Sequence, residues 1–143
     1  MRTAFLDSSV LFAAALSPTG ASHELLRERL RGQVTLVLSS FVVHETHRNL
    51  ALKHPAALPL LLDLVHALSF DLVDPTPAEV AEAATYTFPK DAPIVAAAKK
   101  ANVDYLVSLD RKHLVGVPTV AHGSGLTLVL PEELLAVLRR YHP

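Results

Sequence analysis

Thr3-Ala4-Phe5-Leu6-Asp7-Ser8-Ser9-Val10-Leu11-Phe12 decides how this chain is read. Four mostly apolar residues run into an aspartate, two small hydroxyl residues follow, and the chain turns apolar again. That pattern predicts a buried strand from Thr3 to Asp7 and a short helix from Val10 to Leu16. In an open α/β sheet, function collects at the carboxyl ends of the strands. Asp7 is therefore the first candidate functional group.

Working outward, strands and helices alternate. Ser17-Pro18-Thr19-Gly20 is a turn cluster, and Ser22 is expected to cap a helix that Gly32 ends. Val34 to Leu38 is a β-branched run and a second strand. Ser39 or Ser40 caps the next helix, Phe41 to about Leu52. Pro55 and Pro59 bracket another, about Leu58 to Leu68, which is apolar on most faces and is expected to be buried core or part of a dimer or partner groove. Phe70 to Val73 reads as an edge strand. Thr76-Pro77-Ala78-Glu79 is a capping box with proline at the first helical position. Ala92 to Ala101 is an alanine-rich helix, and Asp104 to Ser108 a further strand. Residues 117–121 and 126–130 are expected to give one or two final strands before a helix that Pro131 opens and that runs to Arg140. The alternation implies an α/β fold with a mainly parallel sheet. Residues 1–143 are expected to form a single domain.

Composition excludes several classes. There is no cysteine, so disulfides and zinc–thiolate sites are absent. Half of the residues are hydrophobic, which argues against disorder. The formal net charge of −1 does not by itself favour a nucleic-acid partner. Arg2 and the apolar stretch after it superficially resemble a signal peptide, but Asp7 and two serines interrupt that stretch. No run approaches the ~18 apolar residues of a membrane helix. A cytoplasmic protein with no membrane association is the expectation.

Most of the 14 acidic residues have a plain explanation. Glu24, Glu28, Glu79, Glu82, Glu132 and Glu133 fall on expected solvated helix faces or in first turns, where a carboxylate suits the macrodipole. Asp63, Asp71 and Asp74 fall on helix surfaces or in turns. Four differ. Asp7 and Asp110 each follow a hydrophobic strand, Asp91 precedes a helix start, and Glu45 lies in the first turns of a helix that follows a strand. In a parallel sheet with returning helices these positions share one edge. Each has its own structural explanation: Asp91 as an N-cap, Asp110 as the cap of the turn Arg111–Leu114, and Glu45 as a surface partner of Arg48. Together they repel. A carboxylate pair 4 Å apart costs about 1 kcal/mol in water and about 4 kcal/mol at an effective dielectric of 20. A cation relieves such a cluster, and hard oxygen ligands point to Mg²⁺ or Mn²⁺.

Phe5-Leu6-Asp7-Ser8-Ser9-Val10-Leu11, then Val43-His44-Glu45, then Lys90-Asp91-Ala92-Pro93-Ile94-Val95-Ala96-Ala97-Ala98, then Asp104-Tyr105-Leu106-Val107-Ser108-Leu109-Asp110 resemble the PIN-domain ribonucleases. These include toxin components of prokaryotic toxin–antitoxin pairs (VapC-like). The resemblance covers nearly the whole chain, in order. It implies a three-layer α/β/α fold with a central sheet of four to five strands. It implies Asp7, Glu45, Asp91 and Asp110 as catalytic metal ligands, with Ser9 and Ser108 in supporting polar positions. The implied cofactor is Mg²⁺ (or Mn²⁺) and the implied activity is metal-assisted hydrolysis of single-stranded RNA. A small antitoxin partner and a homodimer are implied as well. An acidic pocket needs flanking cations to receive RNA; Lys90, Arg111, Lys112 and His113 are the candidates, with Arg48 and His44 behind them. Lys99 and Lys100 are read as plain helix solubility. The family often carries Thr-Asn after its first aspartate, where Ser8-Ser9 stand here. It often carries a further acid after the last one, where Lys112 and His113 stand.

Two other enzyme classes fail. A haloacid-dehalogenase-type phosphatase needs a second aspartate at position 9, which is serine. A phospho-receiver domain needs an acceptor on a middle strand and a late lysine, which this spacing lacks. A catalytically weak RNA-binding or protein-interaction module is the remaining alternative.

Overall fold

The strand that opens the chain lies in the middle of the sheet. The computed structural model describes residues 2–140. Its five strands are β1 (Arg2–Leu6), β2 (Val34–Leu38), β3 (Asp71–Leu72), β4 (Tyr105–Val107) and β5 (Thr127–Val129). They lie in the order β3-β2-β1-β4-β5, and every pairing is parallel. Phe5 faces Val37 on one side and Leu106 on the other. Ala4, Phe5 and Leu6 are all fully buried. A continuous apolar run, not an alternating one, is what a strand covered on both faces requires.

Eight helices flank the sheet in a three-layer arrangement: α1 (Ser8–Leu16), α2 (Ala21–Leu30), α3 (Ser40–Lys53), α4 (Leu58–Ala67), α5 (Pro77–Ala83), α6 (Ala92–Ala101), α7 (Pro118–Ser124) and α8 (Pro131–Arg140). Helix α1 packs on α2, α3 and α4, while α6 packs on α5 and α7. A single 3₁₀ turn, Pro55–Ala57, leads into α4.

The expected boundaries hold closely for β2, α6 and α8, and the capping box at Thr76 is formed from both sides. Four expectations need correction. Residues 117–121 are not a strand. Pro118, which lacks an N–H to give to a sheet, sits in the first turn of α7, and Gly125 ends that helix at φ 72. Helix α2 begins at Ala21 with Gly20 at its N-cap, so Ser22 is a buried residue inside the helix and not its cap. Glu28 is buried and paired with Arg31 at 2.7 Å, not solvated. In α4 only Leu61 is buried; Leu60 and Leu62 are exposed, and Leu62 lines an apolar groove between α3, α4 and β3.

The chain winds one way from β1 to β3, then returns to the other side of β1 with β4 and β5. The reversal leaves a crevice beyond the carboxyl ends of β1 and β4, where open α/β sheets bind ligands. Asp7 follows β1 and Asp110 follows β4.

Candidate functional site

Asp7 leaves β1 and becomes the N-cap residue of α1, yet its side chain makes no capping bond. The carboxylate turns into the crevice, where it is buried. Three serines hold it: Ser8 Oγ donates to Oδ1 at 3.2 Å, and Ser9 Oγ (3.0 Å) and Ser108 Oγ (2.6 Å) donate to Oδ2. The two supporting serines are themselves fixed. Ser9 Oγ accepts the Leu109 N–H and Ser108 Oγ accepts the Asp110 N–H, so they stitch the start of α1 to the end of β4. The single Ser8 hydroxyl proton is shared between Asp7 Oδ1 and Glu45 Oε1, tying α1 to α3. Ser8 and Ser9 thus both orient carboxylates.

Asp91 repeats the theme at α6. It is the N-cap residue, again with no side-chain cap bond. Its Oδ2 is buried and makes no hydrogen bond, although Lys90 Nζ lies 3.2 Å away. Lys90 bonds Asp91 Oδ1 at 3.3 Å and Asp110 Oδ2 at 3.4 Å, bridging the two acids. Asp110 does cap the turn that follows it: Oδ1 accepts the backbone N–H of Lys112 (3.0 Å) and of His113 (2.9 Å). Its other oxygen remains in the crevice, 3.1 Å from His113 Nδ1.

The four predicted carboxylates therefore meet. Asp7, Glu45, Asp91 and Asp110, with Ser8, Ser9, Lys90 and Ile94, line one pocket of about 180 Å³. Asp91, Asp110 and His113 each bring a ligand atom within 4.8 Å of the others. Charge in the pocket is unevenly tolerated. Burial pushes the Asp91 carboxyl above the ordinary carboxylate range, and Asp7 and Asp110 add to the rise against the pull of Lys90. Burial also works against ionised Asp110, but the His113 N–H and ring, together with Lys90, outweigh it and hold that carboxyl low. The positive ends of α1 and α6 offset part of the repulsion.

The predicted cations divide. Lys90 and His113 stand at the pocket. Arg111 is directed to Glu132, 3.9 Å away, and Lys112 is exposed and contributes its backbone N–H. His44 lines the apolar groove with His47 and His66, not the acidic pocket. Lys99 and Lys100 pair with Glu82 and Glu79, in line with their solubility reading. Sequence reasoning missed Ser8 as the bridge between Asp7 and Glu45. It also missed Phe88, an exposed ring packed edge-on against His113 with centroids 4.4 Å apart. The only sequence signal for Phe88 was its place two residues before Lys90.

A three-layer α/β domain with four carboxylates gathered at the switch point of a parallel sheet is the class that fold and pocket define. The chain belongs to the PIN domain family, whose sequence profile matches residues 3–112, a span that holds all four acids. No curated protein matches the sequence significantly. Several solved structures share the fold. PAE2754 from Pyrobaculum aerophilum is similar at TM-score 0.64 and 20% identity, covering 97% of this chain and 98% of that one. VapBC2 from Rickettsia felis, solved bound to a DNA fragment from its promoter, is similar at 0.65 and 17%, covering 90% and 98%. FitAcB from Neisseria gonorrhoeae is similar at 0.60 and 18%, covering 90% and 98%. No helix among the described residues is long and apolar enough to cross a membrane.

Proposed function

We propose that this protein is a divalent-metal-dependent endoribonuclease that hydrolyses single-stranded RNA, and that it is the toxin of a toxin–antitoxin pair. The observation that carries the reading is the convergence of Asp7, Glu45, Asp91 and Asp110 from four separated segments on one small pocket. The residues present fit Mg²⁺ or Mn²⁺. The donors are hard oxygens, and Asp91 Oδ2 is buried with no hydrogen bond. Asp7, Asp91 and Asp110 would hold the ion, with Glu45 beside them. A divalent ion held there supplies Lewis-acid charge and a bound water of lowered pKa.

The chain's own groups do the rest. Ser8, Ser9 and Ser108 fix the orientation of Asp7, as outer-shell hydroxyls do for ligating carboxylates. Asp91 or Asp7, both in the pocket wall, is the carboxylate placed to accept a proton from the attacking water. Lys90 lies at the pocket rim with more than half of its side chain exposed, where its ammonium can meet a phosphate oxygen. His113 orients Asp110 and faces the same rim. The family membership, and the fold shared with VapBC2 and FitAcB, support a small antitoxin partner; a homodimer in the cytoplasm belongs to the same reading.

The test is cleavage of labelled single-stranded RNA in Mg²⁺, in Mn²⁺ and in EDTA, with Asp91→Asn beside the wild type. The substitution keeps the side chain's shape, and Oδ2 has no hydrogen bond to lose. Metal-dependent cleavage by the wild type and a loss of about 100-fold or more in the variant are expected, at or beyond the upper end for outer-shell changes. Equal, metal-independent cleavage by both proteins would sink the enzyme reading and leave an RNA-binding or interaction module.

A further inference from the structure

The segment 86–91 concentrates features of which the carboxylate chemistry uses only Asp91. Of the four buried side-chain polar atoms without a hydrogen-bond partner among the described residues, three belong to it: Tyr86 Oη, Thr87 Oγ1 and Asp91 Oδ2. Buried polar atoms are hydrogen-bonded in nine cases of ten or more, as a rough rule. Tyr86 and Thr87 line a cleft of about 360 Å³ with Phe88, Pro89, Val117, Thr119 and Val120. Between that cleft and the acidic pocket stands Phe88, 51% exposed. Its carbonyl accepts the Asp91 N–H at 2.9 Å, which ties the backbone under the ring to that of the pocket's Asp91. His113 braces it edge-on and reaches Asp110 with its other side.

We propose that Phe88, braced by His113, stacks the unpaired nucleobase next to the scissile phosphate, and that the cleft beside it receives that base. The placement of the phosphate rests on the nuclease reading above; the stacking does not. An exposed aromatic face beside a phosphate-handling pocket is how single-stranded nucleic acid is held without sequence readout. A base inside a duplex keeps its faces covered and has none to offer. The substrate class is therefore nucleic acid with at least one unstacked base at the cut. Thr87 and Tyr86 line the cleft that receives the base, and their buried hydroxyls have no hydrogen-bond partner among the described residues.

The chain has no tryptophan, so Phe88→Trp installs a unique fluorophore at the platform. In the cleavage-impaired Asp91→Asn background it is titrated with a single-stranded oligonucleotide, the same strand made abasic, and the same strand in a duplex. Ribose and deoxyribose versions run in parallel to separate RNA from DNA. Saturable quenching by the intact single strand alone is expected. In the otherwise wild-type enzyme, Phe88→Ala should lower kcat/KM on the single strand about tenfold, within the range for one lost base stack, mainly through KM. Equal quenching by the abasic strand, or an unaltered KM in Phe88→Ala, overturns the proposal while leaving the nuclease reading in place. A Phe88→Ala protein that loses self-association but keeps its oligonucleotide affinity also overturns it, assigning the ring to a protein contact. If the wild type shows no metal-dependent cleavage but the quenching persists, the nuclease reading fails and the stacking site stands.

Discussion

Asp91 carries the sharpest conflict in the molecule. Its carboxylate is buried, one oxygen has no hydrogen bond, and Asp7 and Asp110 press like charge on it. A carboxyl whose folded pKa is raised stabilises the fold only while protonated. That contribution is complete below the unfolded value and is lost as pH rises through the folded one. At neutral pH the ionised group therefore strains the metal-free fold. Asp91→Asn should melt higher than the wild type in EDTA, with the gap closing as the solution is acidified. Differential scanning calorimetry across pH checks this, and a lower melting temperature at neutral pH would contradict it. Lys90 is the partial remedy the chain carries, with its ammonium between Asp91 and Asp110. Lys90→Met should tighten divalent-ion binding several-fold, because a competing positive charge leaves the cluster, and should raise KM for nucleic acid. Calorimetric titration with Mn²⁺ reads the first effect, and unchanged affinity would refute it. At this scale the sequence exposed the four acids through their places after strands and before helices. It hid the role of Ser8, because a hydroxyl that bonds a carboxylate 37 positions away leaves no local pattern.

Elements show where local chemistry and tertiary packing disagree. Helix α3 looked self-sufficient, with Ser39 capping it through a bond to the Val42 N–H at 3.2 Å. A second cap comes from far along the chain. Asp74 accepts the Ser40 N–H at 2.7 Å and the Ser40 hydroxyl at 2.8 Å. The Ser40 backbone bond, then its hydroxyl, hold Asp74 below the ordinary carboxylate value. A depressed acid stabilises the fold above its unfolded pKa, and that stability is lost as pH falls through the folded one. Asp74→Ala should cost about 1 kcal/mol at neutral pH, as caps do once solvent screening is allowed for. The difference from the wild type should vanish in strong acid, as urea melts at both pH values would show. Helix α7 gives the opposite lesson. Val117, Thr119 and Val120 favour a strand locally, but Pro118 and Gly125 fit the two ends of a helix and outweigh them. Inside α7, Gly123 is required by contact: a Cβ there would lie 2.4 Å from Cγ of Tyr86. Gly→Ala ordinarily gains about 0.5–1 kcal/mol in a helix. Here overpacking of about 1–3 kcal/mol outweighs that gain. Gly123→Ala should be net destabilising in denaturant melts, and net stabilisation would show that the Tyr86 ring yields freely.

Across the whole molecule, the sheet order explains why an acidic pocket exists at all. Alternating strands and helices made the parallel sheet legible, and with it the shared edge of Asp7, Glu45, Asp91 and Asp110. The order β3-β2-β1-β4-β5 was not legible, since it is set by crossovers and by the covering of both faces of β1. That order makes β1 and β4 neighbours, with Asp7 N–H donating to Val107 O at 3.0 Å. The pocket therefore closes a ring of long-range ties: β1 to β4 through the serines, α1 to α3 through Ser8 and Glu45, and α6 to β4 through Lys90. A divalent ion bound by these acids would bind only the folded chain, since unfolding scatters its ligands over some hundred positions. Stabilisation then follows mass action, about 2.7 kcal/mol when the free ion is at 100 times its dissociation constant. For a domain of this size that corresponds to roughly 5–10 °C in Tm. The wild type should gain this shift on replacing EDTA with millimolar Mn²⁺, with slowed amide exchange concentrated at the carboxyl ends of β1 and β4. Asp110→Asn, which keeps the Oδ1 acceptor for its turn, should fold yet lose most of the shift. An equal rise in both proteins would mean that the ion acts elsewhere on the surface and that the four acids are a structural network only.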